Sequence, residues 1–71
     1  MDESIGYLIK IRRIKMRLSN RELSALSQVS RGYISELEED KYDNPSLKVI
    51  CSLAKALNCT PNDLIPKNMY T

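Results

Sequence analysis

Apolar residues recur along most of the chain at intervals of three or four positions, and the alternation typical of a half-buried strand is missing. Such spacing places apolar side chains on one face of an α-helix, which repeats about every 3.6 residues. We therefore expect an all-α fold in which five helices enclose one compact core. This fold is expected to form a single domain over residues 1–71.

The first helix is predicted from about Glu3 to Met16. On a helical wheel, Ile5, Ile9 and Met16 fall on one side, which we expect to face the core. A second apolar stripe, nearly opposite, consists of Tyr7, Ile11 and Ile14. Contiguous apolar patches often mark contacts, so this stripe is a candidate surface for a protein partner, with ordinary exposed surface as the alternative.

Two short helices are predicted next. Ser19 and Glu22 have the spacing of a capping box, in which hydroxyl and carboxylate each accept a hydrogen bond from the other residue's backbone N–H. The second helix is therefore predicted over residues 20–27, and Ser30 is predicted to cap a third helix that extends to about Glu39. The side chains that these two helices are expected to bury are Leu23, Leu26, Ile34 and Leu37.

Prolines mark the last two predicted helices. Pro45 suits the first turn of a fourth helix, with Asn44 as its cap. Residues 60–63 open a short fifth helix with a threonine cap, a proline and an acidic residue, and Pro66 ends it. The inward positions of these helices are expected to be Leu47, Ile50, Cys51, Ala54, Leu57, Leu64 and Ile65.

The second and third helices, joined by about three residues, have the dimensions of a helix-turn-helix over roughly residues 20–39. The major groove of B-DNA is about 12 Å wide and accepts one α-helix. In a helix-turn-helix the second of the two helices enters the groove, while the first is directed with its N-terminus toward a phosphate. The spacing therefore predicts that the third helix reads double-stranded DNA.

Three segments resemble the lambda-repressor-like (Xre/Cro-type) family, namely residues 18–24 (LSNRELS), 29–38 (VSRGYISELE) and 44–47 (NPSL). The resemblance extends from Ile5 to Ile65. It implies the five-helix DNA-binding domain of phage repressors, restriction–modification controller proteins and SinR-type repressors. It also implies a transcription regulator of the repressor type. Because one recognition helix reads only about four base pairs, we expect a homodimer that binds an inverted-repeat operator.

The resemblance assigns backbone-contacting roles residue by residue. Ser19 and Asn20 match positions that hold a phosphate at the start of the second helix, and Lys41 matches a loop position near the DNA backbone. Arg13 and Glu38 match an ion pair that ties the first helix to the third.

Base-reading roles follow from the same resemblance. Arg31, Gly32 and Glu36 match the outward positions of the recognition helix, and Tyr33 and Ser35 beside them can touch a thymine methyl group or a phosphate. Arg31 would favour guanine O6 and N7. A carboxylate such as that of Glu36 needs a donor such as cytosine N4. Alternatively, Glu36 pairs with a neighbouring cation or with solvent and only limits non-specific binding.

Several positions depart from the family pattern. Asn20 replaces the usual glutamine, which shortens its reach toward a phosphate, and Ser24 replaces a small alanine. Gln28 and Asp40 stand where glycine usually allows a left-handed turn, a conformation uncommon for other residues. We expect these changes to preserve the fold and to lower its stability.

The charge of the chain is unevenly distributed. Residues 1–35 carry a net +4 and residues 36–71 a net −2, which together give the overall +2. The basic half suits a polyanion. An alternative function, a regulatory module that binds protein and not DNA, is favoured by the acidic residues Glu36, Glu38, Glu39, Asp40 and Asp43.

The family's dimer surface lies around the fifth helix and the tail. The residues that the resemblance places there are Leu64, Ile65, Met69 and Tyr70. The stripe on the first helix is the other candidate surface for a dimer.

The composition argues against chemistry at an active site. The chain contains no His, which is the commonest general base and metal ligand, and only two cysteines, Cys51 and Cys59. Two thiols do not make a zinc site, so we expect reduced cysteines, with Cys51 in the core. No enzyme activity, cofactor or metal is predicted. No apolar run approaches the roughly 20 residues that cross a bilayer, so a cytoplasmic protein is expected.

Overall fold

A computed structural model describes residues 3–42 and 44–67. These residues form four α-helices and one short 3-10 helix, without a strand among them: α1 (Ile5–Lys15), α2 (Asn20–Ser27), α3 (Arg31–Glu38), α4 (Leu47–Ala56) and the 3-10 helix (Pro61–Leu64). The all-helical prediction is therefore confirmed for this part of the chain. No helix in it is long and apolar enough to span a membrane.

The segment predicted as a short fifth helix forms a four-residue 3-10 helix, so the described residues contain four α-helices and not five. Its start is as expected, since both the backbone N–H and the hydroxyl of Thr60 donate to Asp63 Oδ2 at 2.9 and 3.0 Å. These hydrogen bonds lower the pKa of Asp63. Pro66 limits the segment, because a proline disfavours the helical conformation in the residue before it. Ile65 is extended, with φ −105° and ψ 120°.

Serine hydroxyls cap all four α-helices. Ser4, Ser19, Ser30 and Ser46 each accept a hydrogen bond from the backbone N–H three residues later. The predicted start of the fourth helix is therefore wrong, because Ser46 is the cap and Pro45 lies buried before it. A hydroxyl in this position satisfies one of the N–H groups that a helix start leaves unpaired.

The α-helices end in left-handed residues, none of which is glycine. The φ angles are 58° at Arg17, 62° at Gln28, 62° at Asp40 and 58° at Asn58. The left-handed conformation expected at Gln28 and Asp40 is thus present. After α1, α3 and α4, the N–H groups of the left-handed residue and of the residue that follows it donate to carbonyl oxygens of the last helical turn, as in a Schellman motif.

The core is made of side chains from every helix. Its fully or almost fully buried members are Ile5, Ile9, Leu23, Ile34, Leu37, Ile50, Leu53, Ala54, Leu57 and Leu64. Leu53 is the one member to which the sequence assigned no inward position. Helix α1 packs against α3 and the 3-10 helix, while α2 packs between α3 and α4.

Four predicted core residues lie outside the core. Leu26 is 60% exposed, Leu47 is 68% exposed, and Met16 and Cys51 are exposed as well. Met16 is the C-cap of α1, because that helix ends at Lys15 and no longer carries the predicted face. Ile65, also expected to point inward, is only partly buried at the edge of the core.

Packing selects the buried side of α2 and α4. The buried line of α2 passes through Leu23 and Ser27, and Leu26 lies about 100° around the helix from Ser27. In α4 the buried line is Ile50, Leu53 and Ala54, and it continues to the C-cap residue Leu57. Leu47 and Cys51 follow a different line, which faces solvent.

A glycine lets α1 approach the end of α3. A Cβ at Gly6 would overlap the carbonyl oxygen of Leu37 and lie 2.9 Å from Asp40 Oδ1. Sequence reasoning gave Gly6 no role. The backbones of the two helices meet here without an intervening side chain, which sets how closely α3 lies against α1.

We expect Gly6→Ala to lower the free energy of unfolding by about 3 kcal/mol, because backbone atoms cannot yield to the new methyl group as a side chain can. Gly32→Ala is the matched control. Apart from its chain neighbours and the nearby backbone of its own helix, no atom of the described residues lies within 4 Å of its Cβ position, so this change should raise stability by up to about 1 kcal/mol through helix propensity. Denaturant unfolding of both variants measures the difference. A Gly6→Ala protein as stable as wild type would contradict the close approach.

Candidate nucleic-acid interface

The turn between α2 and α3 is fixed by side-chain hydrogen bonds as well as by Gln28. Ser24 Oγ donates to the carbonyl oxygen of Val29 at 2.6 Å. Ser27 Oγ donates to the carbonyl oxygen of Leu23 at 2.7 Å and accepts from the Val29 N–H at 3.2 Å. These serines satisfy backbone groups of the connection and thereby hold α3 at a set angle to α2.

Helix α3 presents its first turn to solvent. Arg31 and Gly32 are exposed, whereas Ile34 and Leu37 on the opposite side are buried. The other predicted contact residues on this helix are half-buried, namely Tyr33, Ser35 and Glu36. The most accessible part of α3 is therefore its N-terminal turn, which carries a cation and no obstructing side chain at the next position.

The start of α2 carries the predicted capping box. The Glu22 N–H donates to Ser19 Oγ at 3.0 Å, and the Ser19 N–H donates to Glu22 Oε1 at 2.8 Å. The Ser19 amide is thus already satisfied. An anion at this helix start would meet the N–H groups of Asn20 and Arg21, which have no carbonyl partner inside the helix.

Two residues predicted to contact DNA bind each other. Asn20 Nδ2 donates to Ser35 Oγ at 2.8 Å and links the first residue of α2 to the middle of α3. Asn20 Oδ1 is buried and has no hydrogen-bond partner within the described ranges. The shorter side chain of Asn20 is therefore used to join the two helices of the motif.

The loop after α3 lies beside the helix. The rings of Tyr33 and Tyr42 stack at a tilt, with centroids 5.4 Å apart. Between them in sequence, Lys41 Nζ lies 3.6 Å from Glu39 Oε1 in an exposed ion pair. The sequence analysis assigned no role to Tyr42. The only signal for it is an aromatic residue next to Lys41, which is weak by itself.

An ion pair locks α1 to α3, as the resemblance implied. Arg13 Nε and Nη2 donate to the two carboxylate oxygens of Glu38 at 2.8 and 3.0 Å, and Nη1 donates to the Leu18 carbonyl oxygen at 2.8 Å. The side chains of Arg13 and Glu38 are only 16% and 8% exposed. The hydrogen bonds that Arg13 donates to Glu38 raise the pKa of Arg13 above its ordinary value.

The candidate dimer residues fall into different environments. The prediction that Leu64 lies in the dimer surface is wrong, because its side chain is completely buried in the core. Ile65 is partly buried, and Met69 and Tyr70 lie outside the described residues. On α1, Tyr7 and Ile14 are 46% and 53% exposed, and Ile11 is half-buried.

Comparison with known proteins finds a matching family model and similar solved structures. A family model described as Helix-turn-helix matches residues 9–64. The P22 c2 repressor protein, solved in complex with a synthetic operator, is similar with a TM-score of 0.80 and 30% identity, over 89% of this chain and 94% of that chain. None of the curated protein sequences matches the chain significantly.

Two further solved structures are similar over most of their length. The restriction-modification controller protein C.AhdI from Aeromonas hydrophila has a TM-score of 0.80 and 33% identity, over 86% of this chain and 91% of that chain. SinR, a master regulator for biofilm formation solved in complex with DNA, has a TM-score of 0.82 and 28% identity, over 84% of this chain and 95% of that chain.

We expect Glu38→Gln to lower the free energy of unfolding by about 3 kcal/mol, because it leaves the shielded Arg13 guanidinium without its counter-charge. Glu39→Gln, which removes the exposed partner of Lys41, is the matched control and should cost less than about 1 kcal/mol. Thermal or denaturant unfolding compares the two variants. Equal stability of Glu38→Gln and wild type would mean that the pair does not hold α1 and α3 together.

Proposed function

The chain belongs to the lambda-repressor-like helix-turn-helix family, and on that premise we propose that it is a repressor that binds specific sites in double-stranded DNA. The observation that carries the proposal is the exposed first turn of α3, together with the start of α2, which the Asn20–Ser35 hydrogen bond holds against the middle of α3. The two helix starts offer backbone N–H groups to a polyanion, and Arg31 adds a cation.

In the proposed complex α3 enters the major groove with Arg31 foremost. The guanidinium makes a bidentate contact with guanine O6 and N7. Gly32 has no side chain and lets the helix come close to the base edges. Glu36 is half-buried in the protein. In the complex its carboxylate accepts a hydrogen bond from cytosine N4, and this bond offsets the repulsion between the carboxylate and the phosphates.

Phosphates on either side of the groove are held by groups at the ends of the motif. The N–H groups at the start of α2, with the hydroxyl hydrogen of Ser19, bind one phosphate. Asn20 and Ser35 support this site by joining α2 to α3, while the Ser35 hydroxyl hydrogen is free to turn outward. Lys41 contacts the backbone from the loop after α3.

The known neighbours support the regulatory part of the proposal. The P22 c2 repressor was solved with an operator and SinR with DNA, and both match this chain over more than four-fifths of its length. One recognition helix contacts only about four base pairs, so two copies about 34 Å apart would give the discrimination that an operator requires. We therefore propose a homodimer on an inverted repeat.

A protein-binding module without DNA binding is less well supported. Its main feature is the acidic run, but Glu38 is taken up by Arg13 and Glu39 lies next to Lys41. Asp40 closes the last turn of α3 near Gly6, and Asp43 lies outside the described residues. Among the described acidic residues, Glu38 is therefore shielded from a partner, and Glu39 already has a neighbouring cation.

We expect Arg31→Ala to weaken binding to a selected duplex by about 1–3 kcal/mol and to remove the preference at one base pair. The control is Lys67→Ala, which removes an exposed cation outside α2 and α3. Fluorescence anisotropy on the selected duplex and on random DNA, across a salt series, separates the contributions. Equal losses on both duplexes would make Arg31 a phosphate contact and not a base reader.

We expect the dimer to depend on the surface near Ile65 more than on the α1 stripe, because family geometry aligns the recognition helices when the C-terminal ends meet. Ile65→Asp should then reduce binding to a two-half-site duplex and leave a single half-site complex, whereas Ile14→Asp should not. Sedimentation on both duplexes, with circular dichroism to verify folding, measures this. Two-to-one binding by both variants with unchanged affinity would exclude both surfaces.

A further inference from the structure

The loop after α3 returns along the helix it has just left. Tyr42 lies four residues beyond the end of α3 at Glu38, yet its ring stacks on Tyr33 near the start of that helix. At about 1.5 Å per residue, Tyr33 is some 7.5 Å along the axis from Glu38. The stack therefore brings the ring of Tyr42 back along the flank of α3 toward its first turn.

The stack connects the loop to the core. The Tyr33 ring is half-buried and packs against the core cluster, while the Tyr42 ring is 44% exposed and lies over it. Offset or tilted aromatic pairs at this separation are favourable beyond their buried area. Tyr42 is thus held by the fold through Tyr33, although it belongs to a loop and is itself accessible.

Lys41 is held on both sides. Its backbone N–H donates to the Glu36 carbonyl oxygen at 3.0 Å, which closes the end of α3. On its other side stands the stacked Tyr42. The ammonium group is exposed and lies against the Glu39 carboxylate at 3.6 Å, an arrangement weak enough to be exchanged for a phosphate.

We propose that Tyr42 is a positioning residue for DNA binding: stacked on Tyr33, it holds the Lys41 backbone beside α3 so that the ammonium group meets the phosphate strand bordering the groove. This inference rests on the proposed function. Holding the loop before the complex forms removes part of the entropy that a flexible lysine contact otherwise loses. Tyr42 acts through Lys41 and needs no base contact of its own.

The test is a double-mutant cycle on DNA affinity and its salt dependence. Tyr42→Ala should raise Kd about five- to tenfold at low salt and reduce the slope of log K against log salt by about 1, the signature of one lost phosphate contact. Lys41→Ala should give the same change. The double variant should be no worse than either single variant, because both remove the same contact.

Tyr42→Phe is the matched control, because it keeps the stacked ring and removes only the hydroxyl. We expect wild-type affinity and salt slope for it, and near-wild-type melting temperatures for all variants. A loss with Tyr42→Phe would assign the hydroxyl a direct phosphate contact and overturn the positioning role. Additive losses in the double variant, or an unchanged slope with Tyr42→Ala, would overturn it as well.

DNA binding by the wild-type protein distinguishes a failure of the positioning role of Tyr42 from a failure of the proposed function. If wild type binds duplex DNA with a steep salt dependence and Tyr42→Ala does the same, the positioning role fails while the proposed function stands. If wild type shows no salt-dependent binding to any selected duplex, the proposed function fails, and the positioning role, which rests on it, falls too.

Discussion

The placement of α3 depends on how tightly α1 holds its C-terminal end. Gly6 lets the backbone of α1 approach the Leu37 carbonyl group and the Asp40 side chain, and about two turns further along α1 the Arg13 guanidinium donates to both carboxylate oxygens of Glu38. A charged pair so well shielded is costly to break from one side, and a backbone contact has little room to adjust. The C-terminal end of α3 is thereby fixed, while the proposed base contacts lie at its N-terminal end, at Arg31 and Gly32.

The N-terminal end of α3 is fixed by polar groups. A domain of this size can bury only a limited apolar surface, so hydrogen bonds add to the packing here. Ser24 and Ser27 tie Val29 in the connection to α2, and the carboxamide of Asn20 reaches Ser35 on α3. Each bond spans the two helices of the motif or the turn between them. The exposed first turn of α3 can therefore stay free of internal contacts and still be held in place, which is what a surface that binds a rigid duplex requires.

Local residue chemistry explains how much of the site could be predicted. The capping box at Ser19 and Glu22, and the left-handed turns at Gln28 and Asp40, depend on residues close together in sequence, and the structure contains them. The partner of Asn20, the ring on which Tyr42 stacks and the tight contact at Gly6 lie 15, 9 and 31 residues away in the sequence. Such contacts follow from the angles between helices, which the pattern of one segment does not contain.

The sequence by itself determined the helical segments, the serine caps of α2 and α3 and most of the core, because hydrophobic spacing and capping act within a few residues. The tertiary structure decided which line of each helix is buried. Helix α4 is apolar on much of its circumference, and only packing against α2 and the 3-10 helix leaves Leu47 and Cys51 outside. Burial depends on which neighbours arrive, and those neighbours are distant in the chain.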